Sequence, residues 1–380
     1  MNTIMRNREL LRQILEATRD VWDRPETRAA VRENFLRVLN CRTAALGAEV
    51  YASPTGEKTI FYHTCKSRAC PSCGYRATLV WQDEMRALLP EIGYVGVGFT
   101  MPNVLWPIFK QNRHLLHDLP ALGAEVIQQW ANTKYSARVL IIVIQHTFGA
   151  ALNFNCHLHI LVSAGGLQES QGRWISRIHF PKGPLMRMWK YAVITYLREA
   201  IKANVLKSGF DAKELRKMLK TQYERDFWIV DVDHCKSKQH FLGYAARYVR
   251  RPPIAQRRFV KVTEREVQFL TKDKKLQQVV TTRYSIEQFI ALWAQHVPDR
   301  YRHAIRYFGL LAPSTKSRTW AALFVLLGQE RRPRPQRLSW RNSLRQYFGV
   351  DPLVDRNGQP MKWARRQTTV ARRSPVISLS

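Results

Sequence analysis

Residues 155–160 read Asn-Cys-His-Leu-His-Ile, and further along comes Gly243-Tyr244-Ala-Ala-Arg247-Tyr248-Val-Arg250-Arg251. Side chains alternate across a strand, so His157 and His159 leave one face while Leu158 and Ile160 pack behind them. Two imidazoles on one face can grip one divalent cation, with Mg²⁺ or Mn²⁺ the ions suited to phosphate chemistry. Tyr244 and Tyr248 lie four apart in a segment of helical spacing, which predicts both hydroxyls on one face of one helix. A phenol of pKa about 10 attacks phosphate slowly unless a cation draws charge from the phosphate and the proton leaves as attack proceeds. The two motifs together predict cleavage of a single DNA strand by tyrosine. His146 ends the preceding apolar run and is the candidate third ligand. Gln145 faces the other way on a regular strand, so only one of the two can serve, and a purely structural His146 remains the alternative.

Taken singly, each motif is weak, because His-X-His pairs and tyrosines four apart are most often packing residues. Their conjunction carries the argument. The tyrosine helix is dense in arginine, follows a predicted strand over 227–233, and offers Arg247, Arg250 and Arg251 as forked phosphate donors. Lys236 and Lys238 are further candidates for the same task.

These residues need a scaffold, and the surrounding pattern supplies one. Strands are predicted over 94–100, 139–144 and 157–162, the last two as hairpin neighbours, with helices over 122–135 and 184–206. This order fits an α+β fold, a central antiparallel sheet with helices on one side, better than a doubly wound sheet. Residues 7–39 have the spacing of two short helices broken near Asp23-Arg-Pro25. The expected division is a helical segment over 1–38, a zinc-binding domain over 39–90, a nuclease domain over 91–255, an α/β extension over 256–330 and a basic, partly disordered tail over 331–380.

Of six cysteines, four fall between 41 and 73, which points to a metal site in a reducing compartment rather than to disulfides. Cys70-Pro-Ser-Cys73-Gly is a tight knuckle in which two thiolates can share a tetrahedral Zn²⁺. Cys65 is the third ligand, and either Cys41 or His63 the fourth. With 61 Lys and Arg against 29 Asp and Glu, the net charge is +32, a field whose natural partner is a polyphosphate, with nucleic acid the leading one. The opening residues lack a signal-peptide core and the apolar runs are too short or interrupted to span a membrane, so a cytoplasmic, nucleoid-associated protein is expected.

On these residues the chain resembles the rolling-circle transposases of the insertion sequence 91 type, within the HUH endonuclease superfamily. The matching segments are Cys41-Arg-Thr-Ala-Ala-Leu-Gly47, Cys65 to Gly74, Phe99-Thr-Met-Pro102, His146-Thr-Phe-Gly149, His157-Leu-His159, Tyr244 to Pro253 and Arg306-Tyr-Phe-Gly-Leu-Leu311. The resemblance implies an N-terminal zinc-binding module and an HUH nuclease sheet. It also implies transposition through a 5′-phosphotyrosine that leaves a free 3′-hydroxyl, acting on element ends and target DNA with host replication or helicase factors. The family usually has further cysteine pairs, whereas residues 51–56 and 351–361 contain none, so fewer zinc ions are expected. A plasmid or phage replication initiator uses the same chemistry, and a non-catalytic zinc-containing regulator is the alternative of another class. The Cys65 segment and Arg306-Tyr-Phe-Gly favour the transposase.

Overall fold

The computed structural model describes residues 3–368 except 208, 210, 226, 227, 236 and 274–276. Lys236, the start of the strand expected over 227–233 and the end of the basic tail lie outside the described residues. The chain forms two compact units, one of Val80–Arg250 and Asp299–Pro335, the other of Met1–Leu79, Arg251–Pro298 and Gln336–Ser380. Each unit is therefore assembled from separated segments, unlike the linear division expected from the sequence.

The first unit is built on five strands, β1 (Tyr94–Phe99), β2 (Leu140–Phe148), β3 (Phe154–Ser163), β4 (Val230–Cys235) and β5 (Ile305–Gly309). Their order is β5-β2-β3-β1-β4, and every neighbouring pair is antiparallel. The segment Arg306-Tyr-Phe-Gly thus lies in the edge strand beside β2. One face of the sheet presents Val95, Val97, Ile141, Val143, Cys156, Leu158, Ile160 and Val162 to helices α1 (Leu119–Tyr135) and α2 (Lys182–Lys202). The opposite face presents Tyr94, Ile142, Ile144 and Leu161 to α3 (Lys238–Ala246) and α4 (Pro313–Leu326). Helices therefore cover both faces, not one. The reason is legible in β2, where Leu140-Ile-Ile-Val-Ile144 is apolar at every position, the pattern of a strand buried on two sides.

The second unit packs helices Thr3–Ala17, Ala29–Leu39 and Ile286–Ala294 with the sheet Phe259–Val262, Glu266–Lys272 and Val279–Ser285. Its aromatic core joins Phe35 to Trp22 and Trp293, with centroids 5.6 and 4.7 Å apart. A second sheet places Ala48–Ala52 between Lys58–Tyr62 and Lys362–Gln367, all antiparallel. The tail expected to be partly disordered thus contributes helix Trp340–Phe348 and a paired strand. Among the described residues no helix is long and apolar enough to cross a membrane.

Candidate functional site

The register of β2 and β3 pairs His146 with His157 and Ile144 with His159, and directly paired side chains share a face. All three imidazoles consequently leave the sheet on one side. Their ring centroids are 4.9 to 5.5 Å apart, and one nitrogen from each lies within 4.8 Å of the others, close enough to meet on one cation. Gln145 points to the other face, where Nε2 donates to the Leu116 carbonyl at 2.6 Å.

Local hydrogen bonds fix two of the rings. His146 Nε2 lies 2.8 Å from the Tyr248 carbonyl, and His157 Nδ1 lies 2.8 Å from the Asn155 carbonyl. Carbonyls only accept, so these nitrogens carry hydrogen, leaving Nδ1 of His146 and Nε2 of His157 with the lone pairs. Asn155 shares the face of His157 and His159, and its Oδ1 is buried without a hydrogen-bond partner among the described residues. It is not among the site residues expected from the sequence, although its place two residues before His157 puts it on the histidine face by strand alternation. An orphaned oxygen beside three imidazoles is what a cation with bound water would satisfy.

Helix α3 begins at the Ser237 cap, whose hydroxyl accepts from His240 N–H, and ends at Ala246, earlier than the sequence suggests. Tyr248 lies in the tightened turn that follows, with its N–H on the Ala245 carbonyl at 2.9 Å, and Arg250 then takes a left-handed φ of 52°. The two tyrosines still share a side, their centroids 5.1 Å apart. Their surroundings differ. Tyr248 is half-buried and stacks on His159 at 3.6 Å between centroids and 19° between planes. Tyr244 is only 6% exposed and lies against the backbone of Gly96 in β1. Burial, then the neighbouring Tyr248, pushes the Tyr244 hydroxyl well above the ordinary phenol pKa.

A Cβ at Gly96 would stand 2.7 Å from the Tyr244 ring, so Gly96 is the position that admits the tyrosine. Gly96→Ala is expected to cost about 1–3 kcal/mol through overpacking. Urea unfolding measures this, and an unchanged midpoint would contradict the contact.

Arg247 is exposed at the helix end, and its guanidinium lies over both rings, 4.5 Å from the Tyr244 centroid and 5.6 Å from that of Tyr248. Arg250 and Arg251 are exposed. Lys238 is not available to phosphate. Only 5% exposed, its Nζ donates to the Arg86 and Leu89 carbonyls at 3.1 and 3.0 Å and meets Glu91 Oε1 at 2.6 Å. It caps the end of helix Pro71–Leu88, a role invisible from its place in a basic run. Lys238→Met is expected to lower stability by about 1–3 kcal/mol while leaving DNA affinity and its salt dependence unchanged. A shallower salt slope in binding titrations would restore Lys238 as a phosphate contact.

In the other unit, Cys41, Cys65, Cys70 and Cys73 place their sulfurs within 4.8 Å of one another. Three of the separations are 3.7 to 3.8 Å. Sulfurs about 2.3 Å from a tetrahedral centre lie about 3.8 Å apart, so the cluster has the dimensions of a Zn²⁺ site. His63 does not join it. Its Nδ1 faces the Leu46 carbonyl at 3.0 Å and its Nε2 faces Glu49 at 3.4 Å, so both nitrogens are engaged elsewhere.

An α+β protein with a three-histidine centre facing paired tyrosines, and a separate four-cysteine cluster, is the class these features define. Residues 141–318 match the family model described as "Putative transposase", and residues 12–101 match the "Transposase zinc-binding domain". The chain is 31% identical over 289 residues to the transposase for insertion sequence element IS801 of Pseudomonas savastanoi pv. phaseolicola, across 74% of this chain and 70% of that protein. It is 29% identical over 304 residues to "Putative transposase y4qJ" of Sinorhizobium fredii (strain NBRC 101917 / NGR234), across 76% of each. No solved structure matches the chain significantly. The chain belongs to the transposase family of the insertion sequence 91 type.

Proposed function

We propose that this transposase cuts and rejoins single-stranded DNA through a 5′-phosphotyrosine, with Tyr248 attacking first and Tyr244 serving the second strand. The observation that carries this reading is the stack of Tyr248 on His159 within a three-histidine centre. His146, His157 and His159 would hold one divalent cation, which when bound draws charge from a nonbridging phosphate oxygen. Imidazole nitrogen suits Mg²⁺ poorly, since that hard ion takes oxygen ligands, and Mn²⁺ is the better match. Asn155 Oδ1 would accept from a water bound beside the centre, and the Tyr248 carbonyl fixes the His146 ring.

In the cleavage step the Tyr248 hydroxyl oxygen bonds to phosphorus, the bond from phosphorus to the 3′-oxygen breaks, and the phenolic proton is balanced by protonation of the departing 3′-oxygen. Arg247, whose charge lies over both rings, stabilises negative charge as it develops on either phenol oxygen. Rejoining reverses these steps, and the ester keeps the bond energy, so no nucleotide triphosphate is needed. Arg250 and Arg251 hold flanking phosphates. Element ends and target DNA are the substrates, with host replication or helicase factors opening the duplex in the bacterial cytoplasm. Incubating labelled single strands of the element's ends with the protein tests this reading. Cleavage should appear at lower Mn²⁺ than Mg²⁺ and vanish on chelation, and cleavage indifferent to divalent ions would overturn the metal assignment.

Cys41, Cys65, Cys70 and Cys73 are assigned to one structural Zn²⁺. Metal analysis should find one zinc per chain, and none in Cys70→Ala, whose module should melt or become protease-sensitive because structural zinc contributes folding energy outright. A His63→Ala chain that lost its zinc would contradict the four-cysteine set.

A further inference from the structure

The sheet of the zinc-binding unit carries a surface that the cleavage reading does not use. Its edge strand reads Lys362-Trp-Ala-Arg-Arg-Gln367, exposed from Lys362 to Arg366. Arg366 pairs with Glu49, Arg365 with Val50 and Trp363 with Tyr51, so Ala364 is an extra residue at a bulge. On a regular strand, residues 363 and 366 would leave opposite faces. The bulge re-aims Trp363 to the face of Arg366.

There the two side chains grip one carboxylate. Trp363 Nε1 donates to Glu49 Oε2 at 2.8 Å and Arg366 Nε to Oε1 at 2.7 Å, with His63 Nε2 at 3.4 Å. These donors, Trp363 first and then Arg366, hold the Glu49 carboxyl below its ordinary pKa. Tyr51 and Phe61, on the same face, are covered by Trp340, with centroids 6.4 and 4.7 Å away. Trp363 is left 59% exposed.

Cationic side chains on an edge strand discourage pairing between copies, and Lys362, Arg365 and Arg366 would suffice for that. An exposed tryptophan adds nothing to such a guard, nor does fixing its ring with a bulge and a carboxylate. A rigid, exposed aromatic face is the chemistry that stacks an unpaired base, and the exposed Lys362 and Arg365 of the same strand add positive charge for its backbone. The +32 charge of the chain and its membership in a transposase family select DNA as the polyanion. We infer that the bulged strand Lys362–Gln367 is a base-stacking platform for single-stranded DNA, centred on Trp363.

The inference rests on action on DNA and not on the tyrosine chemistry, so it is tested by binding alone. The full chain is titrated by fluorescence anisotropy against a single strand of mixed sequence and against the corresponding duplex. Trp363→Leu should weaken single-strand binding about tenfold, the weight of one base stack, and change duplex binding less than about twofold. Trp363→Phe should recover part of the loss, and Glu49→Leu, which removes the acceptor of the indole N–H, should lower the ratio of single-strand to duplex affinity even though the released Arg366 charge strengthens binding to both. An unchanged zinc content and melting temperature show that the module is intact. Unaltered single-strand affinity in Trp363→Leu overturns the platform. So does an equal loss for single strand and duplex, or a change in oligomeric state that marks the strand as an edge guard.

Discussion

Tyr248→Phe is expected to abolish the first cleavage, by at least about a thousandfold, whereas Tyr244→Phe should keep first-strand cleavage within a few-fold and lose strand transfer. The asymmetry follows from position. Tyr248 is half-buried against His159 in the histidine centre, with its carbonyl on His146. Tyr244 is buried over Gly96, and its hydroxyl is the harder to deprotonate because burial disfavours the phenolate. For Tyr244 to act, α3 must move off Gly96, which suits a nucleophile used after the first end is already held. Single-turnover cleavage of a labelled strand, followed by transfer to a second strand, separates the steps. A Tyr244→Phe protein without first cleavage, beside an active Tyr248→Phe, would reverse the order.

The second large effect is expected at the metal. Replacing both His157 and His159 by alanine leaves only His146 of the cluster, too few donors to hold a cation. Cleavage should fall to background at every Mn²⁺ concentration. DNA affinity should change by less than about threefold, because phosphate contacts from Lys and Arg supply most of the sequence-independent binding. The fold should survive, since His157 and His159 are half-buried and the packing of β3 resides in Cys156, Leu158 and Ile160 on the other face. Loss of DNA binding together with cleavage would assign the histidines a structural role instead.

The parts of this site that follow from local periodicity were readable in the sequence. His157 and His159 share a face because strands alternate, and the same rule set His146 apart from Gln145 once the strand was placed. What depends on distant partners was not readable. Gly96 precedes Tyr244 by 148 residues, and only the packing of α3 on β1 shows why one tyrosine is buried. Lys238 looks like its basic neighbours until the end of helix Pro71–Leu88 is found beneath it. The pairing of Lys362–Gln367 with Ala48–Ala52 joins opposite ends of the chain, and no composition rule announces a strand in a basic tail. Helices on both faces of the sheet are legible in the unbroken apolar run of β2, whose alternate residues must be buried on either side.

The most direct test of the account is the covalent intermediate. Purified protein is incubated with Mn²⁺ and a single strand spanning its element's ends, and the products are separated on a denaturing gel and mapped by peptide mass spectrometry. The account predicts a DNA adduct on Tyr248, absent from Tyr248→Phe and from the histidine double variant. Strand cleavage without any tyrosine adduct, or tight DNA binding with no cleavage in either metal, would contradict it.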